Sequence, residues 1–561
     1  MIVEAGALPV GQTLQFDVCI VGSGPAGLTL ARELGAHGLQ VCVLESGSFE
    51  PSEGATRSLS ELASEGGFVQ VNPDNRNRRF GGNSGFWGVH LNHTTNGVRL
   101  IPYLPSDFER RDGVPFSGWP FSRSYLDPWY ARAQAILGAG PYAYDLKNWV
   151  TPETSPLPLG DRYQTVIFMF GNGEMFTQQY RRELELSRNV TVYTSSNALE
   201  LETEPSGQVV ERVQVGTVQG ARYAVQAKYF LLAAGGIENT HLLMLSNKVH
   251  KEGLGNEHDQ LGRYFMDHPI AEGGHIYPRD RRIFERTALY DKRPVDGAHI
   301  MGGLVLSDEL VVKESLLNLT SWLFPRPKWS AREDSMKALR RFARGRSFGN
   351  GLGAAWDDFT SALQGGGAVI DGIYNKATGV PFPFWPNLAE GEWHRKQQQK
   401  HRAYGVFEVL HLLEQAPDPE NRLVLTEERD ALGRRKAKLI TRWREIDKRG
   451  IDLGQKILDE ELRKKKLGHF EPRRTKDDDL IWSTLGASHH MGTARMHQSP
   501  RLGVVDEDCK VHGVHNLFVA GSATFPTGSS LNPTLTICAL SARIADHVKL
   551  KLGRSQNVSM A

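Results

Sequence analysis

Between residues 16 and 47 the apolar positions change rhythm three times. Residues 18–21 are a short continuous apolar run of the kind that makes a buried strand. Residues 28–34 carry apolar side chains at helical spacing, and residues 41–44 are strand-like again. Gly22, Gly24 and Gly27 fill the first junction at the G-x-G-x-x-G spacing, and Glu45 closes the second strand. Each has a physical task. Gly22 permits a tight turn, Gly24 lets backbone approach a pyrophosphate on the helix N-terminus, Gly27 lets helix and strand pack closely, and the carboxylate can take ribose hydroxyls. With 58 glycines in 561 residues, chance alone supplies roughly half a match to this spacing, so context must decide. Strand, turn, helix, strand and acid in that order identify a dinucleotide socket, without choosing between NAD and FAD.

Further along, residues 79–93 (RFGGNSGFWGVHLNH) pack four glycines among aromatic and small polar residues. That composition suits backbone lying against a flat ligand, or a loop that turns a corner. Residues 107–137 read as a proline- and aromatic-rich entry into a helix capped near Ser124, the start of a separate region. Residues 189–225 alternate in several short runs. They lead to a strand, a double-glycine turn and a helix at 228–239, where the chain returns to the first sheet. In DQLGRYFMDHP, His268 precedes a proline in an extended setting and reads as a satisfied structural histidine. Residues 407–443 read as a helix, the turn APDPEN, and a hairpin whose turn holds Asp430 and Gly433. Residues 325–400 carry the weakest pattern. Cations at 337–346 read as the solvated face of an amphipathic helix rather than a membrane contact, and glycines at 345–353 and 365–367 allow a lid or an assembly arm.

Composition narrows the classes. Length provides for two or three domains. The 66 Lys and Arg against 64 Asp and Glu leave a formal charge of +2, which proposes neither nucleic acid nor an anionic membrane. Cys19, Cys42, Cys509 and Cys538 are scattered and suggest no disulfide framework or zinc site. No basic segment followed by an apolar core opens the chain, and no apolar run is long enough to span a bilayer, so a cytoplasmic protein is expected.

The last informative stretch, 486–548, reads as a turn, a strand at 517–520, a loop and a helix from about Pro533. Pro533 and Thr534 make a good helix start, with Asn532 on its N-cap side. Such an N-terminus can stabilise negative charge gathering on a hydride acceptor. His489 and His490 stand beside a glycine turn. A histidine of near-neutral pKa can take an alcohol proton while the carbon releases hydride. Adjacent side chains on an extended chain point opposite ways, so one of the pair is expected to face the site. With no acidic ligand pattern nearby, a metal site is not expected.

Taken together, these motifs resemble the glucose-methanol-choline (GMC) family of FAD-dependent oxidoreductases, and within it the pyranose oxidase-like branch. The resemblance spans nearly the whole chain and rests on GSGPAG with Glu45, GGNSGFWG, LAAGGIENTHLL, DQLGRYFMDHP, EQAPDPENRL and, above all, SHHMGT with LNPTLT. It implies FAD held by Gly22, Gly24, Pro25, Ala26, Gly27, Glu45, Ser46, Gly81, Gly82, Asn83, Ser84, Trp87, Ala234, Gly235, Gly521, Asn532, Pro533 and Thr534. It also implies His489 as general base and Asn532 as its partner, with hydride passing to flavin N5. Relatives that tether flavin covalently use a histidine in a GGxSxHW context. Phe86 stands at that position, so noncovalent FAD is expected.

The implied activity is oxidation of a secondary alcohol, a sugar or glycoside hydroxyl, to a ketone. A non-oxidising lyase of the same fold and an oxidoreductase for non-sugar alcohols are the alternatives. Oxygen, a quinone or a redox protein would take the electrons, and the oligomeric state stays open. The expected fold is α/β plus α+β, a Rossmann-like FAD-binding domain (1–98, 195–268 and 500–561) and a discontinuous substrate domain on an antiparallel sheet (99–194 and 269–499).

Overall fold

The computed structural model describes residues 1–66, 71, 73–91, 96–151, 154–326, 359, 404–482 and 487–559. The helix and glycines expected within 325–400 lie outside them. Two large sheets carry the chain. The first has the strand order Ile2–Glu4, Val190–Thr194, Val41–Leu44, Thr13–Val21, Arg222–Leu232, Val210–Gly216 and Asn197–Thr203, with Leu517–Val519 pairing beside the end of Arg222–Leu232. Its central pairings are parallel, and the edge hairpin formed by the last two strands of that order is antiparallel. Val18, Cys19 and Ile20 and the whole of Val41–Leu44 are buried on both faces, which is why they read as continuous apolar runs. Val190–Thr194 already belongs to this sheet, so the chain rejoins it before residue 195.

The second sheet is antiparallel throughout. Its order is Gly468–Pro472, Ile270–Pro278, Val406–Leu413, Leu319–Arg326, Ala298–Leu306, Tyr163–Asn172, Asn96–Leu100 and Val89–His90. The helix Glu445–Lys464 packs on one face, where Gly450 and Gly454 let it approach Leu317 and Leu319; a Cβ on Gly454 would stand 2.3 Å from the Leu319 side chain.

One element differs from the sequence reading. The helix expected from 407 is the strand Val406–Leu413, with all eight residues buried. A strand covered on both faces loses its period-two alternation, and a run such as VFEVLHLL then cannot be told from a helix by pattern alone. The hairpin after it is present as Arg422–Arg429 and Arg435–Ile440, with Asp430 and Gly433 in its turn. The α/β plus α+β architecture is the one expected. Among the described residues no helix is long and apolar enough to cross a membrane.

Candidate active site

A cavity of about 750 Å³ runs from the Gly22 turn to the floor formed by the second sheet. At its first end the helix Pro25–Gly35 begins directly after the parallel strand Thr13–Val21. Gly22 has φ 103°, and a Cβ there would stand 2.6 Å from the Ala233 carbonyl oxygen. On Gly27 a Cβ would stand 1.9 Å from the carbonyl oxygen of Gly22. Both therefore serve packing. Gly24 differs, because a Cβ there would meet no atom within 4 Å, so its backbone is open to a ligand. Glu45 accepts from the Ser23 hydroxyl (2.6 Å), the Ser23 N–H (3.1 Å) and the Gly47 N–H (2.8 Å). Burial raises its carboxyl above the ordinary range, against those hydrogen bonds and the nearby Arg78.

Of the expected cofactor residues, all but Gly27 and Gly81 border the cavity. Gly27 lies behind the turn, and the Gly81 N–H is bonded to the Ser23 carbonyl at 3.1 Å. Asn239 accepts from the Ala234 N–H (2.7 Å) and donates to the Ala520 carbonyl (3.1 Å), fastening together the two strand ends that carry Gly235 and Gly521. Phe86 also borders the cavity.

At the other end, an isolated antiparallel bridge joins Met266 to Met491 across more than two hundred residues. It sets the MDHP segment against the SHHM segment. His268 Nδ1 lies 2.9 Å from His489 Nδ1, and His268 Nε2 lies 2.9 Å from the carbonyl oxygen of Gly528. A carbonyl only accepts, so His268 carries its proton on Nε2 and its Nδ1 is an acceptor. His489 must then donate from Nδ1, which leaves the lone pair on its Nε2. That nitrogen has no hydrogen-bond partner among the described residues, and His489 borders the cavity. Burial holds both rings neutral. It lowers His268 to about 4 and takes His489 well below the usual histidine value, with His268 and His490 adding to the shift.

Asp267 braces the same turn. Its Oδ1 accepts from the backbone N–H groups of His489 and His268, each at 2.7 Å. Burial, opposed by those two bonds, raises its carboxyl to about 6. Ser488, just before the pair, has φ 58° and the segment is not a strand. The alternation argument therefore does not apply, and His489 and His490 both border the cavity. His268 is buried with both ring nitrogens partnered, as its sequence setting suggests, and one of those partners is His489. Nothing local to DHP signals a partner 221 positions away; the pairing of Met266 with Met491 and the Asp267 bond to the His489 N–H bring it close.

Asn532, on the far side of the chain turn, borders the same cavity with its Oδ1 buried and unpartnered among the described residues. The helix Thr534–Ser559 starts two residues on and directs its N-terminus toward the cavity, where Pro533 and Thr534 line the wall.

The open Gly24 backbone, the ribose-type carboxylate and the unpaired Asn532 amide suit a dinucleotide that also carries a redox ring. Residues 17–342 match the family model for FAD dependent oxidoreductases, and residues 417–541 match that of the GMC oxidoreductase C-terminal region. The chain belongs to the GMC family of FAD-dependent oxidoreductases. As such it is an oxidase or dehydrogenase acting on CH–OH donors. Over 96% of its length it is 23% identical to the fructose dehydrogenase large subunit of Gluconobacter japonicus, covering 98% of that protein. It is 24% identical to a 2-methyl-1,2-propanediol dehydrogenase of Mycolicibacterium austroafricanum, with 95% of each chain covered. A 74-residue stretch, 13% of this chain and 14% of the relative, is 43% identical to a C-glycoside 3-oxidase of Microbacterium trichothecenolyticum. The solved structure of a formate oxidase from Aspergillus oryzae shares the fold, with 15% identity, 97% of this chain and 99% of that one covered, and a TM-score of 0.51.

Proposed function

We propose that this GMC oxidoreductase converts a secondary alcohol, a sugar or glycoside hydroxyl, to a ketone, with His489 as general base. The observation that carries the reading is the chain of contacts from the Gly528 carbonyl through His268 to His489 Nδ1, from which we infer that His489 keeps Nε2 unprotonated beside the cavity that it and Asn532 border. The alcohol proton passes to Nε2 while Nδ1 keeps its hydrogen bond to His268. The resulting imidazolium thus forms without any reorientation of the ring. Asn532 hydrogen-bonds the same oxygen. FAD bound along the cavity supplies the acceptor for the hydride that leaves the carbon. Gly24 and Glu45 hold its far end in this reading, on the turn that Gly22 and Gly27 allow, and the start of Thr534–Ser559 offers positive potential near its reactive end. In this reading the first sheet, which Val190–Thr194 rejoins, carries the FAD-binding unit, and the antiparallel sheet, which already includes Val89–His90 and Asn96–Leu100, carries the substrate unit.

The sugar preference is supported by the names of the fructose dehydrogenase and C-glycoside 3-oxidase relatives. A non-sugar alcohol is the second reading, favoured by the diol dehydrogenase relative and by the apolar Ile270, Leu410 and Leu412 on the cavity wall. The four cysteines are free and buried, which suits the cytoplasm. Phe86 has no atom able to tether a flavin, so FAD is held noncovalently; acid precipitation should leave the yellow colour in the supernatant, and a yellow pellet would refute it. Anaerobic mixing of the holoprotein with a panel of sugars, glycosides and diols tests the activity. A member that bleaches the flavin's visible absorbance supports the reading, and a flavin that no alcohol reduces overturns it.

A further inference from the structure

Arg99 is the exception on an otherwise apolar floor. It lies on Asn96–Leu100, directly opposite Phe170 of the neighbouring strand, and borders the cavity. Its guanidinium reaches across the sheet to lie 4.4 Å from the centre of the Trp322 ring and 5.9 Å from that of Phe170. Gly303, on the strand Ala298–Leu306 between these elements, makes room for the Phe168 ring; a Cβ there would stand 2.7 Å from it. Arg99 is 5% exposed, and its Nε and Nη2 have no acceptor among the described residues. No carboxylate among them pairs with it. Other buried arginines have acceptors: Arg111 has Glu414 at 2.5 Å, Arg326 and Arg434 have Glu408 and Asp430 at 2.8 Å, and Arg495, which has no carboxylate, donates to the carbonyls of Leu502 (3.1 Å) and Phe116 (2.6 Å).

A buried guanidinium without a counter-charge costs far more than contact with aromatic faces returns. Burial draws its pKa down to about 10, so the group stays charged at neutral pH. A fold that keeps such a cation beside an open cavity has room for an anion to complete it. The planar fork of donors matches a carboxylate. A single cation, with Ile270, Leu410 and Leu412 around the floor, suits a monoanion better than a phosphate dianion. We propose that Arg99 anchors a carboxylate on the substrate, so that the preferred alcohol is a sugar acid or a glycoside of one. This rests on the alcohol-oxidising reading of the cavity for its chemistry, and on Arg99 alone for the charge.

The test compares wild-type holoenzyme with Arg99→Gln and Arg99→Lys on a matched pair, a methyl glucoside and the corresponding methyl glucuronide. Binding of acetate and benzoate is followed in parallel through perturbation of the flavin's visible spectrum. Wild type should favour the glucuronide in kcat/KM. Arg99→Gln should reduce the acid-to-neutral ratio by roughly ten- to a hundredfold, the range for a hydrogen bond to a charged partner, and weaken benzoate binding to a similar degree. Arg99→Lys should keep the direction of the preference. If no alcohol of the wider panel bleaches the flavin but Arg99→Gln still abolishes benzoate binding, the anion site stands and the alcohol reading falls. The proposal is overturned by an unchanged ratio with unchanged benzoate affinity. Loss of FAD from Arg99→Gln would also overturn it, since the cation would then serve the cofactor.

Discussion

At the Gly22 turn the surface offered to a ligand is backbone, whereas at the histidine end it is side chains. The first end is one continuous stretch in which glycines clear space and the N-terminus of Pro25–Gly35 supplies positive potential. The second is assembled from MDHP, SHHM, the carbonyl of Gly528 and Asn532, brought together by a single backbone bridge and a chain of two imidazoles. The difference separates two kinds of failure. Damage to the backbone end should remove the cofactor, and damage to the side-chain end should leave it bound and idle.

Gly27→Ala should have the largest effect. Its Cβ would overlap the Gly22 carbonyl, a backbone atom at 1.9 Å that cannot swing aside. The purified variant should carry little or no FAD, as read from the ratio of visible to ultraviolet absorbance. His489→Ala should keep its FAD and reduce it about a hundred to ten thousand times more slowly, equivalent to about 3–5 kcal/mol of barrier. His268 acts through His489, so a smaller effect and a rescue are expected. His268→Ala should slow flavin reduction roughly tenfold or more by releasing the tautomer. His268→Gln, whose amide can accept from His489 Nδ1 and donate to the Gly528 carbonyl, should recover much of it. Equal losses in the two variants would show that the ring is needed only for packing.

How much was legible in the sequence follows the same division. The turn at Gly22, the strands around it, Glu45 and the helix after Pro533 were readable because their signals are local, a few residues apart. His489 and Asn532 were found through their resemblance to a family, and the cavity borders both. The link from His268 to His489 was not readable, since it depends on tertiary pairing across the whole substrate region. Arg99 was missed for a related reason: on a strand it is one arginine among many until the absence of any paired acid becomes visible. The misread strand Val406–Leu413 shows the limit of periodicity, which vanishes when both faces are covered.

The central claim is that a two-histidine chain presents an unprotonated Nε2 of His489 to the cavity. Nitrogen-15 NMR of the holoprotein labelled at histidine tests it most directly, with His489 assigned by the signal lost in His489→Ala. At pH 7 the account predicts a neutral ring protonated on Nδ1 and bare on Nε2. A ring protonated on Nε2, or on both nitrogens, would contradict it.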